Sequence, residues 1–221
     1  MNAASRAICV LVSGGLDSAV LLSRSLETGQ TVLPVFVKCG LRWEPAELYW
    51  LKRYLRAVRT RRLKPLQIGE WPARSLYGAH WSFSGARVPS AASRDSAVYL
   101  PGRNVMLLGC AAIIASRERI HRIAIGTLAG NPFGDASAGF FNAYGSALTQ
   151  ALDWRIEIVA PLARMKKAAL IRRADGFPLE LTFSCLAPRG RLPCGRCNKC
   201  AERRKALRKA GIENRTQLTT C

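Results

Sequence analysis

The segment Ser13-Gly14-Gly15-Leu16-Asp17-Ser18 stands between an apolar run, residues 8–12, and a stretch with apolar residues at helical spacing. Glycine permits positive φ and close backbone approach, so successive N–H groups and the start of the following helix can face one anion. The chemistry this predicts is phosphate binding. The common phosphate loop adds a lysine that reaches the terminal phosphates, and the dinucleotide turn is spaced G-x-G-x-x-G; this segment has neither feature. A second group is the set Cys185, Cys194, Cys197 and Cys200 in "SCLAPRGRLPCGRCNKC", spaced C-x8-C-x2-C-x2-C. Four thiolates close a tetrahedral shell around Zn²⁺, and Cys₄ shells also hold iron–sulfur clusters, so the spacing leaves iron as the competitor. A closed shell has no open position, which predicts a structural role. Arg189, Arg191, Arg196 and Lys199 surround the set and are expected to keep the thiolates ionised. Cys9, Cys39 and Cys110 lie in apolar runs and read as core, and Cys221 is terminal.

The elements that must position these groups follow from the apolar pattern. Residues 8–12 read as a buried strand, 18–26 as a helix closed near Gly29, "TVLPVFVKCG" as a second strand, 46–58 as a second helix, and "LKPLQIG" as a short third strand. The order β-α-β-α-β predicts an α/β fold: a Rossmann-like parallel sheet with helices on both faces. Residues 71–96 are rich in Gly, Ser, Ala and Pro with little periodicity and read as a long functional loop or lid. A helix beginning near Asn104, a strand in "HRIAIGTLAG", a helix from about Phe140, a strand in "IEIVAPL" and a helix over 165–174 complete the pattern. Residues 1–180 are thus expected to form the α/β domain, and 181–221 a small cysteine segment with a basic helix over 201–209.

The chain of 221 residues carries 34 Lys and Arg against 14 Asp and Glu, a formal charge of +20. Such charge draws polyanions, leaving an RNA or an acidic protein open as partner. Basic residues gather over 53–64, 164–173 and 189–209 without interleaved aromatics, which argues against a single-strand stacking platform. No apolar run approaches the ~20 residues of a membrane span. With no secretory pattern at the N-terminus, the expected location is cytoplasmic and no membrane partner is expected. His80 and His121 attract no role.

SGGLDS resembles the signature of the pyrophosphatase-loop enzymes, the N-type ATP pyrophosphatases. That resemblance implies cleavage of ATP between the α- and β-phosphates. Pyrophosphate would lie on the N–H groups of Gly14 to Ser18 and the hydroxyls of Ser13 and Ser18, with Asp17 orienting the loop or holding Mg²⁺. Together with the cysteine set, the chain resembles the 7-cyano-7-deazaguanine synthases of queuosine biosynthesis over nearly its whole length. "YLPGRN" is similar to that family's V-P-G-R-N segment. "APL", with Lys167 six residues after Pro161, matches its P-L-x4-K-A step. "LTFSC" resembles its L-T-x-S-C approach to the zinc site, and "CGLRWEPAEL" a diverged Y-G-Q-x-H…E-L strand end.

The resemblance implies an ATP-dependent ligase that adenylates 7-carboxy-7-deazaguanine and, with ammonia, forms first an amide and then the nitrile, releasing AMP and pyrophosphate. It implies Asp17, Ser18, Arg103 and Lys167 as catalytic residues. The ATP site would comprise Val12, Ser13, Gly14, Gly15, Leu16, Asp17, Ser18, Asn104 and Gly126. Phe133, Asp135 and Ser137 would meet the deazapurine, and Cys185, Cys194, Cys197 and Cys200 would hold Zn²⁺. A homodimer is the expected assembly.

The departures fall at the substrate end. Cys39 and Leu41 replace the family's Tyr and Gln; Phe133 stands for Tyr, Ala136 for Cys, Ser137 for Arg and Ala169 for Glu, while Asp135 is retained. Arg87 or Arg94, in the long loop, is expected to replace the missing arginine over the pocket. The drift admits a paralogue that joins the activated deazaguanine to another amine, such as one on a protein. A tRNA-modifying enzyme of the same superfamily would exploit the charge, but no C-x-x-C pair lies near the loop and no separate RNA-binding domain is evident. A zinc-bearing nucleic-acid binder with a dead loop is opposed by the intact SGGLDS.

Overall fold

A computed structural model describes residues 7–212. Its first half runs β1 (Ala7–Leu11), α1 (Leu16–Glu27), β2 (Thr31–Lys38), α2 (Glu44–Ala57) and β3 (Gln67–Glu70), followed by two short helices, α3 (Arg74–Tyr77) and α4 (Trp81–Ser84). The second half runs α5 (Arg103–Arg117), β4 (Arg122–Ala124), α6 (Ala138–Leu152), β5 (Glu157–Val159), α7 (Lys167–Arg172) and α8 (Asn198–Ala210).

The strands form one sheet in the order β3-β2-β1-β4-β5 with every pairing parallel. A parallel strand needs helical cover on both faces, which is why β1 reads as an unbroken apolar run. Its side chains alternate between two cores. Cys9 and Leu11 enter one with Leu108, Ala111, Ala112 and Phe141 of α5 and α6. Ile8 and Val10 enter the other with Val20 and Leu21 of α1, Leu170 and Ile171 of α7, and Ala206 and Leu207 of α8. The cysteine segment is built into both layers: α8 closes the second core, while Cys185, Cys197 and Cys200 lie in the first.

The chain steps outward from β1 to β3, then returns to place β4 on the other side of β1. The strand order reverses at β1 and β4, so a crevice opens beyond their carboxyl ends, the usual ligand position in open α/β sheets.

The stretch expected as a long functional loop or lid carries structure of its own. Trp81 stacks on Trp43 with centroids 5.6 Å apart, and Tyr77 stacks on Phe83 at 6.0 Å. Its far end is tied to the cysteine segment: Asn198 N–H donates to Pro89 O (3.0 Å), Ala91 N–H to Arg196 O (3.0 Å), and Asn198 Nδ2 to Ser93 O (2.9 Å). His80 caps α4 by accepting from Ser82 N, and His121 stacks on Trp154 at 4.4 Å; both are structural placements.

Candidate active site

The glycine loop crosses from β1 to α1 at the sheet's carboxyl edge. Gly14 has φ +79°, and a Cβ there would stand 2.8 Å from the Glu47 carbonyl of α2, so this position needs glycine for both conformation and space. The serines brace the loop from within. Ser13 N–H donates to Ser18 Oγ (3.2 Å), Ser18 Oγ donates to Gly15 O (3.2 Å), and Gly15 N–H donates to Ser13 Oγ (3.3 Å). No side chain caps α1 at Gly15, so its first-turn N–H groups remain available to an anion. At the end of β4, a Cβ on Gly126 would lie 3.3 Å from Ser18 N, so that turn presses directly on the loop. Gly14→Ala is expected to cost about 1–3 kcal/mol, the range for a side chain forced into a sparsely populated backbone region. A lowered melting temperature together with weakened ATP binding would be the observation.

The loop borders a cavity of about 490 Å³. Val12, Ser13, Gly15, Leu16, Asp17 and Ser18 line it, and so do Arg103, Asn104, Gly126, Phe133, Asp135 and Lys167 from the other elements. Gly14 lies beneath the loop, outside the lining. Ser137 does not reach the cavity; it is the N-cap of α6, accepting from Phe140 N at 3.2 Å. Asp135 anchors the start of α5, with Oδ2 accepting from Asn104 N and the Asp135 carbonyl from Asn104 Nδ2, each at 3.0 Å. Phe133 stacks on Tyr99 at 4.4 Å and 13°. Arg87 and Arg94 are exposed and do not line the cavity. The additional cation there is Lys199, which was expected beside the thiolates: its Nζ meets Glu202 Oε2 at 2.6 Å.

Lys167, at the start of α7, stands 3.3 Å from Asp17 Oδ2 and 2.5 Å from Glu202 Oε1. Burial opposes its charge, but Asp17 and Glu202 outweigh that and hold the ammonium above the ordinary lysine range. Burial also opposes ionisation of Glu202, yet Lys167 and Lys199 draw its carboxyl down to about 2. Burial pushes Asp17 up, with Lys167 opposing. Asp17 Oδ1, Thr127 Oγ1 and Arg103 Nε are buried without a hydrogen-bond partner. A buried orphan carboxylate oxygen beside a phosphate loop fits a hard cation such as Mg²⁺.

Glu47 also lines the cavity, on the buried face of α2. Burial pushes its carboxyl up to about 8, against the pull of Arg103. A carboxyl that stays protonated in the fold while the unfolded chain ionises makes stability fall as pH rises, here between the ordinary glutamate range and about 8. Glu47→Gln is therefore expected to flatten this slope, so that the variant gains melting temperature over the parent as pH is raised from 5 to 8 in the ligand-free protein.

The four sulfurs of Cys185, Cys194, Cys197 and Cys200 lie within 4.8 Å of one another. Cys197 Sγ stands 4.0 Å from Cys185 Sγ and 3.5 Å from Cys200 Sγ. Zn–S bonds of about 2.3 Å in a tetrahedron separate the sulfurs by ~3.8 Å, so the set fits one such ion. Backbone N–H groups support it, from Leu186 to Cys197 Sγ (3.3 Å) and from Cys194 to Cys185 Sγ (3.2 Å), as outer partners do at metal sites.

One stretch of similarity joins the loop to the cysteines. Residues 6–211 match the family described as "Queuosine biosynthesis protein QueC". The chain belongs to the QueC family. It is 32% identical to the 7-cyano-7-deazaguanine synthase of Methanopyrus kandleri, over 94% of this chain and 96% of that protein. It is also 32% identical to the 7-cyano-7-deazaguanine synthase of Anaeromyxobacter dehalogenans, with 96% of each chain covered. Among solved structures, a 4-thiouridine synthetase in complex with RNA and bound ATP aligns with TM-score 0.51 and 19% identity, over 94% of this chain and 51% of that one. That likeness shows the fold. The QueC match spans the sheet and the cysteine segment together, in keeping with their shared cores. No helix among the described residues is long and apolar enough to cross a membrane.

Proposed function

We propose that this QueC-family chain is an ATP-dependent ligase acting on 7-carboxy-7-deazaguanine, with ammonia as the amine. The observation that carries the reading is the meeting of an uncapped glycine loop with Lys167 and Arg103 across one cavity, in a chain whose close relatives are named as synthases of the 7-cyano product. A carboxylate oxygen of the substrate attacks the α-phosphorus, the bond to the β-phosphate breaks, and pyrophosphate stays on the loop. Leu16, Asp17 and Ser18, in the uncapped first turn of α1, offer backbone N–H groups to it. Lys167 and Arg103 offset charge on the phosphates in flight, an electrostatic contribution that needs no reorganisation at the moment of reaction. Mg²⁺, held at Asp17, would supply further charge neutralisation. Ammonia then attacks the acyl carbon, the C–O bond to AMP breaks, and a proton leaves with formation of the amide. A second adenylation on the amide oxygen, followed by loss of AMP and two protons, gives the nitrile.

Phe133, stacked with Tyr99, offers an aromatic wall, and Asp135 a carboxylate fixed by Asn104. In this reading both meet the deazapurine, while Ser137 shapes the start of α6. Zn²⁺ at the four cysteines is structural. A cytoplasmic location and a homodimer belong to the same proposal.

The test is incubation with ATP and 7-carboxy-7-deazaguanine, with and without ammonia, following AMP and product mass. AMP with the amide and nitrile masses is expected. ADP and phosphate would overturn ATP cleavage at the α-phosphate, and an adduct formed only with a protein amine would replace ammonia as the acceptor.

A further inference from the structure

Lys199, in the first turn of α8, and Glu202, at the start of its second, come from the helix that leaves the cysteine segment, and both line the cavity of the glycine loop. Glu202 uses its two oxygens on two different lysines: Oε1 on Lys167 at 2.5 Å and Oε2 on Lys199 at 2.6 Å. Lys167 in turn stands 3.3 Å from Asp17 of the loop. A lysine is a point charge on a flexible four-carbon stem, and holding one at a defined place costs side-chain entropy. One carboxylate pairing with two ammonium groups fixes both from a single backbone position. That position is set by the helix start, where Cys197 is the N-cap and Cys200 lies between Lys199 and Glu202.

We infer that Lys167 and Lys199, bridged by Glu202, form a two-lysine subsite for a phosphate oxyanion beside the glycine loop, with Lys199 a direct ligand and Glu202 a positioning residue. This deepens the proposed function by assigning the departing pyrophosphate a second lysine. Lys167 of α7 and Lys199 of α8 bring two ammonium groups to the cavity, where the loop itself contributes backbone N–H groups and Asp17. The four charges of Asp17, Lys167, Glu202 and Lys199 cancel before a ligand enters, so the arriving anion meets a preset pair of ammonium groups without a large standing field.

The probe is inorganic pyrophosphate with Mg²⁺, bound at equilibrium to the intact zinc-loaded protein and followed by calorimetry. Lys199→Met is expected to weaken pyrophosphate binding about tenfold, the loss of ~1.4 kcal/mol. Glu202→Gln gives the sharper result. Removing a negative charge beside an anion site should, by Coulomb's law alone, tighten binding; loss of positioning predicts a weakening of about tenfold instead. Glu202→Asp should recover part of it, and the Glu202→Gln, Lys199→Met double variant should cost little more than either change alone, because coupled groups are not additive. Zinc content and melting temperature identify any variant that has failed to fold, and Glu202→Asp with Lys199→Met carry the test if Glu202→Gln does. Unchanged binding in Lys199→Met, or unchanged or tighter binding in Glu202→Gln, overturns the subsite. No acyl substrate is needed for this measurement. Failure of the proposed function would appear separately, as absence of AMP formation from 7-carboxy-7-deazaguanine by a parent protein that still binds pyrophosphate.

Discussion

Lys167→Met is expected to lower AMP formation by about 10²–10³-fold, the loss typical of removing one preorganised charge-stabilising group from an active site. Two features make the effect large. Lys167 lies within 3.3 Å of Asp17 on the loop, so its ammonium stands where phosphate charge would build up. Asp17 and Glu202 hold its pKa above the ordinary lysine range, so it remains a full cation throughout neutral pH. Methionine keeps the length and apolar stem without the charge. Two carboxylates then lose their common partner. Glu202 keeps Lys199, whereas Asp17, already raised by burial, loses the lysine that opposes the shift. The pH dependence of activity in Lys167→Met should therefore be displaced upward relative to the parent, as Asp17 ionises later. Rates are to be measured at saturating ATP across pH 5 to 8, with melting temperature as the folding control. A variant within threefold of the parent would remove Lys167 from the chemistry.

The parts of this site that were legible in the sequence are those whose chemistry is local. The glycine loop needs only six consecutive residues, and the cysteine set carries its spacing in one short segment. The strands themselves followed from apolar runs because a buried parallel strand shows no alternation to misread, whereas their order in the sheet did not. Helix starts were less legible. α2 begins at Glu44, two residues before the expected position, because the Glu44 carboxylate accepts from Cys39 N (2.8 Å) and Gly40 N (3.0 Å) and closes the turn ahead of Pro45. α8 begins at Asn198, three residues early, because its first turn is built on Cys197 and Cys200. The helices α3 and α4 have four residues each, too few for a helical period to show within a Gly- and Ser-rich stretch.

Long-range pairs were not legible. Glu202 is one acid in a run of bases, and nothing local says that it turns inward to Lys167, 35 residues away. Glu47 did leave a signal that passed unread. It shares the buried face of α2 with Ala46, Leu51 and Tyr54, and an ionisable side chain among such neighbours marks a candidate site. The substrate strip shows the reverse. Ser137 differs from the family residue at that position, and the fold uses it as a helix cap outside the cavity. Arg87 and Arg94, expected over the pocket, are exposed outside its lining, whereas Lys199, from a helix some hundred residues further along the chain, lines it.

Cys197→Ser is expected to abolish stoichiometric zinc and to lower activity by more than the ~10–100-fold that loss of a mere outer-shell partner costs at a metal site. The reason is placement. Cys197 accepts from Leu186 N–H, pairs with Ser90 in an isolated bridge, and is the N-cap of α8. Metal binding at such a site is folding free energy for the residues it ties together. Those residues are the ends of two segments that border the cavity. One is the long loop, held by bonds from Asn198 and to Arg196, which leads into Asp95, Val98 and Tyr99. The other is the start of α8 with Lys199 and Glu202. Losing the ion should therefore free both walls while leaving the sheet paired. Hydrogen exchange should rise over residues 89–98 and 198–203, with β1, β2 and α1 unchanged, and ATP affinity should fall together with turnover. A chelator should reproduce this pattern in the parent protein, and added Zn²⁺ should reverse it. Exchange that rises uniformly across the sheet would show that the cysteines hold the whole fold. No change in ATP affinity would show that the segment stabilises α8 without shaping the site.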